Sequence, residues 1–316
     1  MKVWKNSPKD AILAGISVVQ LIVTVGSPII WSQLSTTARA VDGVLLTMLM
    51  AYNIIVVSHL FTHMPWFVSA RLNAVTSVVN SISIGQSVQA YQFTHVRNHH
   101  RYNNDRQRPD GETRDRSSTY RRGKNGQHEP LLSYILGGAL SSVVGRAVEL
   151  SMVVRGWRVT DANLLRLASR QPGRRSRELR QVRLDRAAHC LALVALATIS
   201  WQWALFCYLP AFVCALVLVN VQNYFRHYGA DPDSRTTDSV SHYGRLYNLL
   251  TFNDGYHQEH HLSPATHWSQ MPAVHARHRE RLATKPRIIS PVPAMVGFLD
   301  RSRPLLHEGT SESSNS

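Results

Sequence analysis

From Ala11 to Trp31 the chain runs for 21 residues without a charged side chain. As a helix that stretch covers roughly 30 Å, the thickness of a bilayer's hydrocarbon core. Trp31 suits the far interface of such a crossing. The pattern recurs, with apolar runs alternating with arginine-rich loops, so the mean hydropathy of -0.17 averages very unlike regions. The formal net charge is +15. A balance this basic fits nucleic acid or an anionic membrane surface. The arginines fill loops between membrane-length runs, without interleaved aromatics, and no nucleic-acid partner is expected.

A second crossing is expected at 43–63, where the run from Gly43 continues through His59-Leu60-Phe61-Thr62-His63 and stops near Pro65. The longest apolar region, Cys190 to Val219, poses a choice. One crossing would put the last histidine group on the far side from the others. Leu184 to Arg226 is 43 residues, roughly 64 Å of helix, which allows two crossings. Spans at 184–200 and 203–226 with a turn near Ser200 to Gln202 complete a set of four. Leu72 to Thr94 is speckled with Asn73, Asn80, Gln86 and Gln89, and reads as an interfacial or protein-buried helix. Leu131 to Val154, interrupted by Arg146 and Glu149, reads as amphipathic and lying on the membrane. The basic stretches to Glu129 and over 155–186 are expected on the cytoplasmic side, with both termini. Met1 to Asp10 is followed by an apolar run too long for a secretory signal. Cys190, Cys207 and Cys214 form no metal-binding pair and read as buried thiols. The expected class is therefore an all-α integral membrane protein, with four transmembrane helices, interfacial helices and a cytoplasmic histidine-rich cap. Residues 1–304 form one membrane domain and 305–316 a disordered tail.

Nine of the 16 histidines fall into four groups. His59 and His63 form HxxxH at the end of the second span. His95, His99 and His100 form HxxxHH. His227 follows Asn223 as NxxxH, and His257, His260 and His261 form HxxHH. On a helix, residues four apart present two imidazoles to one region, while adjacent histidines diverge by about 100° and can serve different metals. The set suits two neighbouring metals better than one. Nitrogen donors without thiolate suit iron, copper or zinc, and nine exceed what one tetrahedral zinc uses. The remaining histidines read as surface or hydrogen-bonded groups, with His242 and His267 the candidates to support the metal ligands.

These groups, His59-Leu60-Phe61-Thr62-His63, His95-Val96-Arg97-Asn98-His99-His100, Asn223-Tyr224-Phe225-Arg226-His227-Tyr228-Gly229 and His257-Gln258-Glu259-His260-His261-Leu262, resemble the histidine boxes of the integral-membrane fatty acid desaturase and hydroxylase superfamily, which includes alkane monooxygenases. The resemblance covers roughly Ala11 to Pro272. It implies a di-iron centre whose ligands are the nine histidines, with Asn223 holding a water at one iron. It further implies O2 as co-substrate, a lipid or acyl chain as substrate, and no other bound cofactor. Electrons would come from an external donor of ferredoxin, rubredoxin or cytochrome b5 type, since three cysteines cannot ligate a ferredoxin-type cluster and no haem-binding His-Pro-Gly-Gly occurs. His260-His261-Leu262-Ser263-Pro264 looks like acyl-desaturase forms and favours an alkene product. HxxxHH and Asn223-Tyr224 with His227-Tyr228-Gly229 favour the alternative, a hydroxylase acting by oxygen rebound. A non-catalytic membrane metal-binding protein is the reading outside enzymes. Leu60 stands where many members have an acidic residue, and Arg226 where alkane hydroxylases often have Glu; both departures bear on hydrogen bonds around the ligands.

Overall fold

The computed structural model describes residues 2–154 and 161–309. Among them no β-strand forms, and extended pairing is confined to the bridges Trp4–Phe67 and Ser241–Ile289. In chain order the helices are α1 (Asp10–Ile30), α2 (Thr36–Tyr52), a π-helical turn (Asn53–Ser58) leading into α3 (His59–His63), α4 (Ala70–Ile84) and α5 (Val88–Gln92). A second π-helical turn (Phe93–His99) leads into α6 (His100–Tyr102), followed by α7 (Leu131–Val154), α8 (Ala162–Leu167) and α9 (Pro172–Ile199). Then come α10 (Trp201–Trp203), a third π-helical turn (Ala204–Tyr208), α11 (Leu209–His227), α12 (Arg245–Leu250), α13 (His257–Leu262) and α14 (Met271–Ala283). Starts are set by side-chain caps: Ser35, Ser69, Ser87 and Asp161 each accept from a backbone N–H two or three residues on.

Four helical stretches are long and apolar enough to cross a membrane: Asp10–Gln33, Thr36–His63, Leu131–Val148 and Trp201–His227. Three coincide with the expected spans 11–31, 43–63 and 203–226. The fourth differs. Residues 184–199 end the 28-residue α9, whose first half carries Arg174, Arg175, Arg177, Arg180 and Arg183, and whose Asp185 and Arg186 are buried within the expected span. Leu131–Val148, expected to lie on the membrane, has the length and composition of a crossing. The side chain of Glu149 lies outside the described residues, as do 155–160 of the expected basic stretch. The expected break at Ser200 is present: its backbone is extended, and its hydroxyl caps Trp203.

The chain divides into two compact units. The first comprises Met1–Thr94 and Ala139–Val217. Its helices meet through buried polar groups. Asn53 Nδ2 donates to Gln20 Oε1 (2.6 Å) and Asn80 Oδ1 (3.1 Å), and Gln20 Nε2 to Ser83 O (3.1 Å). Asn80 therefore spends its polarity inside the protein, as the protein-buried reading of Leu72 to Thr94 requires. Asp185 ties α9 to α4 and α5 by accepting from Ser77 Oγ, Ser87 Oγ, Gln89 N and Gln181 Nε2 at 2.7–3.0 Å. Gly85 ends α4 at φ +70°, where a Cβ would meet Phe212 at 2.7 Å.

The second unit comprises His95–Gly138 and Leu218–Ser316. The stretch after α6 is irregular, as expected, and densely hydrogen-bonded. It begins with Asn103 and Asn104 in the left-handed region (φ 49° and 62°). Leu305 to Glu308, expected in a disordered tail, packs instead: Leu306 N donates to Gly229 O (2.7 Å), and His307 is buried. Residues 310–316 lie outside the described residues.

Candidate metal centre

His99, His227, His257 and His261 come together in the second unit, all buried, with one nitrogen of each within 4.8 Å of the others. They derive from the second π-helical turn, the C-terminus of α11 and the first and fifth residues of α13. The i,i+4 pair on α13 stacks edge-on at 4.5 Å between ring centroids. The orientation of two rings is fixed by what the other nitrogen does. His227 Nδ1 lies 3.0 Å from Asp238 O. A carbonyl only accepts, so Nδ1 carries the proton and Nε2 presents a lone pair. His99 Nδ1 lies 2.7 Å from Asp115 Oδ2, which sets the same tautomer. Nε2 of His99, Nε2 of His227 and both nitrogens of His261 are buried without a hydrogen-bond partner. Four such atoms in one place fit a cation, because each orphaned polar atom otherwise costs about 1–3 kcal/mol.

Charge supports the fit. Burial among the neighbouring imidazoles of His257, His100, His227 and His99 holds His261 well below its usual pKa, so the ring is neutral and able to ligate. Burial alone would raise Asp115; the His99 ring and the amide and hydroxyl of Ser117 outweigh it and hold the carboxyl well below the carboxylate range. Asp238, fully buried, is pushed up to about 7 by burial against hydrogen bonds from Ser239 and Gln258.

A second convergence lies beside the first. His100 Nε2 is 3.1 Å from His95 Nε2 and 3.0 Å from His260 Nε2. A neutral imidazole nitrogen holds at most one proton, so one donor cannot serve both contacts, and a metal among the three removes the conflict. His59 and His63 sit one turn apart in the first unit, with ring centroids at 5.0 Å. His59 Nδ1 donates to Ile55 O (3.0 Å), the carbonyl at i−4 within the π-helical turn. Asn223 Nδ2 donates to Ser117 O (3.2 Å) and Tyr134 Oη (2.6 Å), which leaves Oδ1 as its accepting atom.

The carboxylates around the rings escaped the sequence. Asp115 and Asp238 sit in irregular segments where no periodicity ties them to a histidine. Glu259, inside the last group, accepts from Tyr243 Oη (2.6 Å), His275 Nδ1 (2.6 Å) and Ser241 Oγ (3.1 Å). His275 thus braces that group. His242, expected near the ligands, reaches Ser290 O, and His267 reaches Ser269. Arg226 is paired with buried Asp254, which also accepts from Gln222 and Tyr247.

Comparison with known proteins agrees with this chemistry. The fatty acid desaturase family model matches residues 37–291. Over 74 residues the chain is 35% identical to the sphingolipid delta(4)-desaturase of Komagataella phaffii, a stretch amounting to 23% of this chain and 20% of that protein. The similarity thus spans about a fifth of the yeast protein's length.

Proposed function

The chain belongs to the fatty acid desaturase family, and from that premise we propose a membrane-bound, O2-dependent oxidoreductase that desaturates an acyl or related lipid chain with two irons. The observation that carries the reading is the buried four-histidine cluster, with nitrogens of His99, His227 and His261 lacking hydrogen-bond partners. In this reading one iron takes His99, His227, His257 and His261. The other takes His95, His100 and His260; His59 and His63 complete the nine proposed iron ligands, and Asn223 holds a water at one of the two. When bound, the irons supply reduction of O2 by two external electrons and abstraction of hydrogen from an unactivated C–H bond.

The side chains supply orientation and exclusion. Ile55 O, Asp115 and Asp238 O accept the Nδ1 protons of His59, His99 and His227, and each Nε2 is thereby turned into a donor for metal. Asn223, anchored through its amide nitrogen, keeps Oδ1 for a water. Burial of His59, His99, His100, His227, His257, His260 and His261, with His63 and His95 half-buried, limits the access of bulk water to the site. Four spans, at 11–31, 43–63, 184–200 and 203–226, bring an alkyl chain and the site into one phase, with both termini, the basic stretches and the histidine groups on the cytoplasmic side and electrons delivered there by a ferredoxin, rubredoxin or cytochrome b5 type donor. Loss of a second hydrogen gives the alkene. Oxygen rebound to an alcohol is the second reading, favoured by Asn223-Tyr224 and His227-Tyr228-Gly229.

The test is metal analysis of the purified chain together with the lipid profile of a host expressing it, sphingolipids included. Two irons per chain and products lighter by two hydrogens are expected. Products heavier by one oxygen assign the hydroxylase, and one zinc without iron ends the di-iron reading.

A further inference from the structure

Asp238 is fully buried in the second unit, and three helices reach it. Its Oδ2 accepts from Asn103 Nδ2 (2.7 Å), the residue that follows the helix carrying His100. Its Oδ1 accepts from Gln258 Nε2 (3.1 Å), inside the last histidine group, and from Ser239 Oγ (3.0 Å). The same Oδ1 lies 3.8 Å from His261 Nδ1. Its backbone carbonyl accepts the Nδ1 proton of His227 (3.0 Å). One residue therefore touches the third and fourth histidine groups and the residue that caps the short helix carrying His100.

All three side chains that donate to this carboxylate are neutral. A buried carboxylate hydrogen-bonded by neutral donors, with Arg235 the cationic side chain acting on it, is only partly compensated, and the remaining cost is relieved when a further cation comes near. The nearest place built to receive one is the cluster of His99, His227, His257 and His261, two of whose rings Asp238 meets directly. A carboxylate beside ligand rings raises ligand basicity and holds ring orientation, typically worth 10–100-fold in metal affinity.

We propose that Asp238 is a positioning residue for the metal of the four-histidine cluster: its carbonyl sets the His227 ring, and its carboxylate ties the His100 and His261 segments together and supplies negative charge beside that metal. The inference rests on the metal-centre reading above and adds a requirement that reading does not make. It concerns charge, so two substitutions at the same junction separate charge from hydrogen bonding. Asp238→Asn removes the charge at nearly constant shape. Asn103→Ala removes a neutral donor and keeps the charge.

The experiment uses the full chain, purified in detergent and loaded with 57Fe, and reads iron per chain, the Mössbauer spectrum and the rate of iron release to a chelator. Wild type is expected to hold two irons. Asp238→Asn is expected to release one of them at least tenfold faster, with the spectrum of that iron shifted, while Asn103→Ala changes release less than threefold. Asp238→Glu, one methylene longer with the charge kept, is expected to hold both irons with one spectrum shifted. It carries the test if Asp238→Asn fails to fold, and identity with wild type in both readouts then overturns the positioning role. An Asp238→Asn protein matching wild type overturns the inference and leaves the metal-centre reading standing. Equal loss in Asp238→Asn and Asn103→Ala overturns the charge role. A wild-type chain that binds no iron overturns both the inference and the reading beneath it.

Discussion

At the scale of the residue, the site works by deciding which nitrogen of each imidazole keeps a proton. His99 shows this most directly. Asp115 accepts from its Nδ1 at 2.7 Å, and Asp115 is held in turn by Asn104 N (2.8 Å) and by Ser117 N (2.9 Å) and Oγ (2.8 Å). Asp115→Asn replaces an acceptor that cannot donate with an amide that can, so His99 loses its fixed tautomer. Iron affinity is expected to fall by about 10–100-fold, read as iron retained after dialysis against a graded chelator. His261→Ala removes a ligand outright. It is expected to leave at most one iron per chain and no lipid product, and full activity in that variant refutes its place in the ligand set.

At the scale of the element, the strap formed by Leu305 to Glu308 fastens the segment after His227. Gly229 adopts φ +84°, and a Cβ there would meet Pro304 O at 2.6 Å. Its N–H donates to His128 Nε2 (3.1 Å), and its carbonyl accepts from Leu306 N (2.7 Å). The Thr119 hydroxyl donates to Asn104 Oδ1 (3.0 Å), so it accepts the His128 Nδ1 proton (2.7 Å). Neutral His128 fits both neighbours and protonated His128 does not. Burial, with His307 beside it, lowers His128 to about 2, and burial likewise lowers His307. Groups depressed in this way contribute their stability in full above the free histidine value near 6.5, and lose it as pH falls toward the folded value. Between pH 8 and pH 5 a histidine kept neutral costs about 2 kcal/mol. Amide exchange in the strap is expected to accelerate over that interval, and His128→Asn, which keeps an acceptor for Gly229, to flatten the dependence. Gly229→Ala is expected to lower the thermal midpoint at every pH, since a left-handed residue alone costs roughly 1–2 kcal/mol. These features mark the limit of what the sequence discloses. The histidine groups were legible because a helix repeats every three to four residues and the groups repeat with it. Asp115, Asp238 and the strap were not, because their partners lie 16, 11 and 77 residues away along irregular backbone. The polar side of α9 that Asp185 uses against Ser77 and Ser87 likewise has no signature in hydropathy.

At the scale of the whole molecule, the distribution of charge bears on how electrons arrive. Eight acidic side chains are buried among the described residues, against three arginines. The accessible surface is therefore more basic than the formal +15. Arg166, Arg170, Arg177, Arg180 and Arg183 of α8, α9 and their link are exposed, and so are Arg101 of α6 and Arg108, Arg114, Arg116, Arg121 and Arg122 of the loop after it. Such a surface steers an acidic donor toward productive encounter, an effect that acts on association and decays within a Debye length of about 10 Å at 0.1 M salt. Turnover driven by a reduced acidic ferredoxin is expected to lose about tenfold in kcat/KM for the donor between 0.02 and 0.3 M NaCl, with kcat nearly constant. Reversing charge at two exposed positions, Arg177→Glu with Arg180→Glu, is expected to raise KM for the donor while iron content stays at the wild-type level, because neither residue touches a ligand. A kcat/KM that does not move with salt, or that moves equally with an uncharged chemical reductant, removes the arginine surface from electron delivery and leaves anionic lipid as the partner those side chains serve.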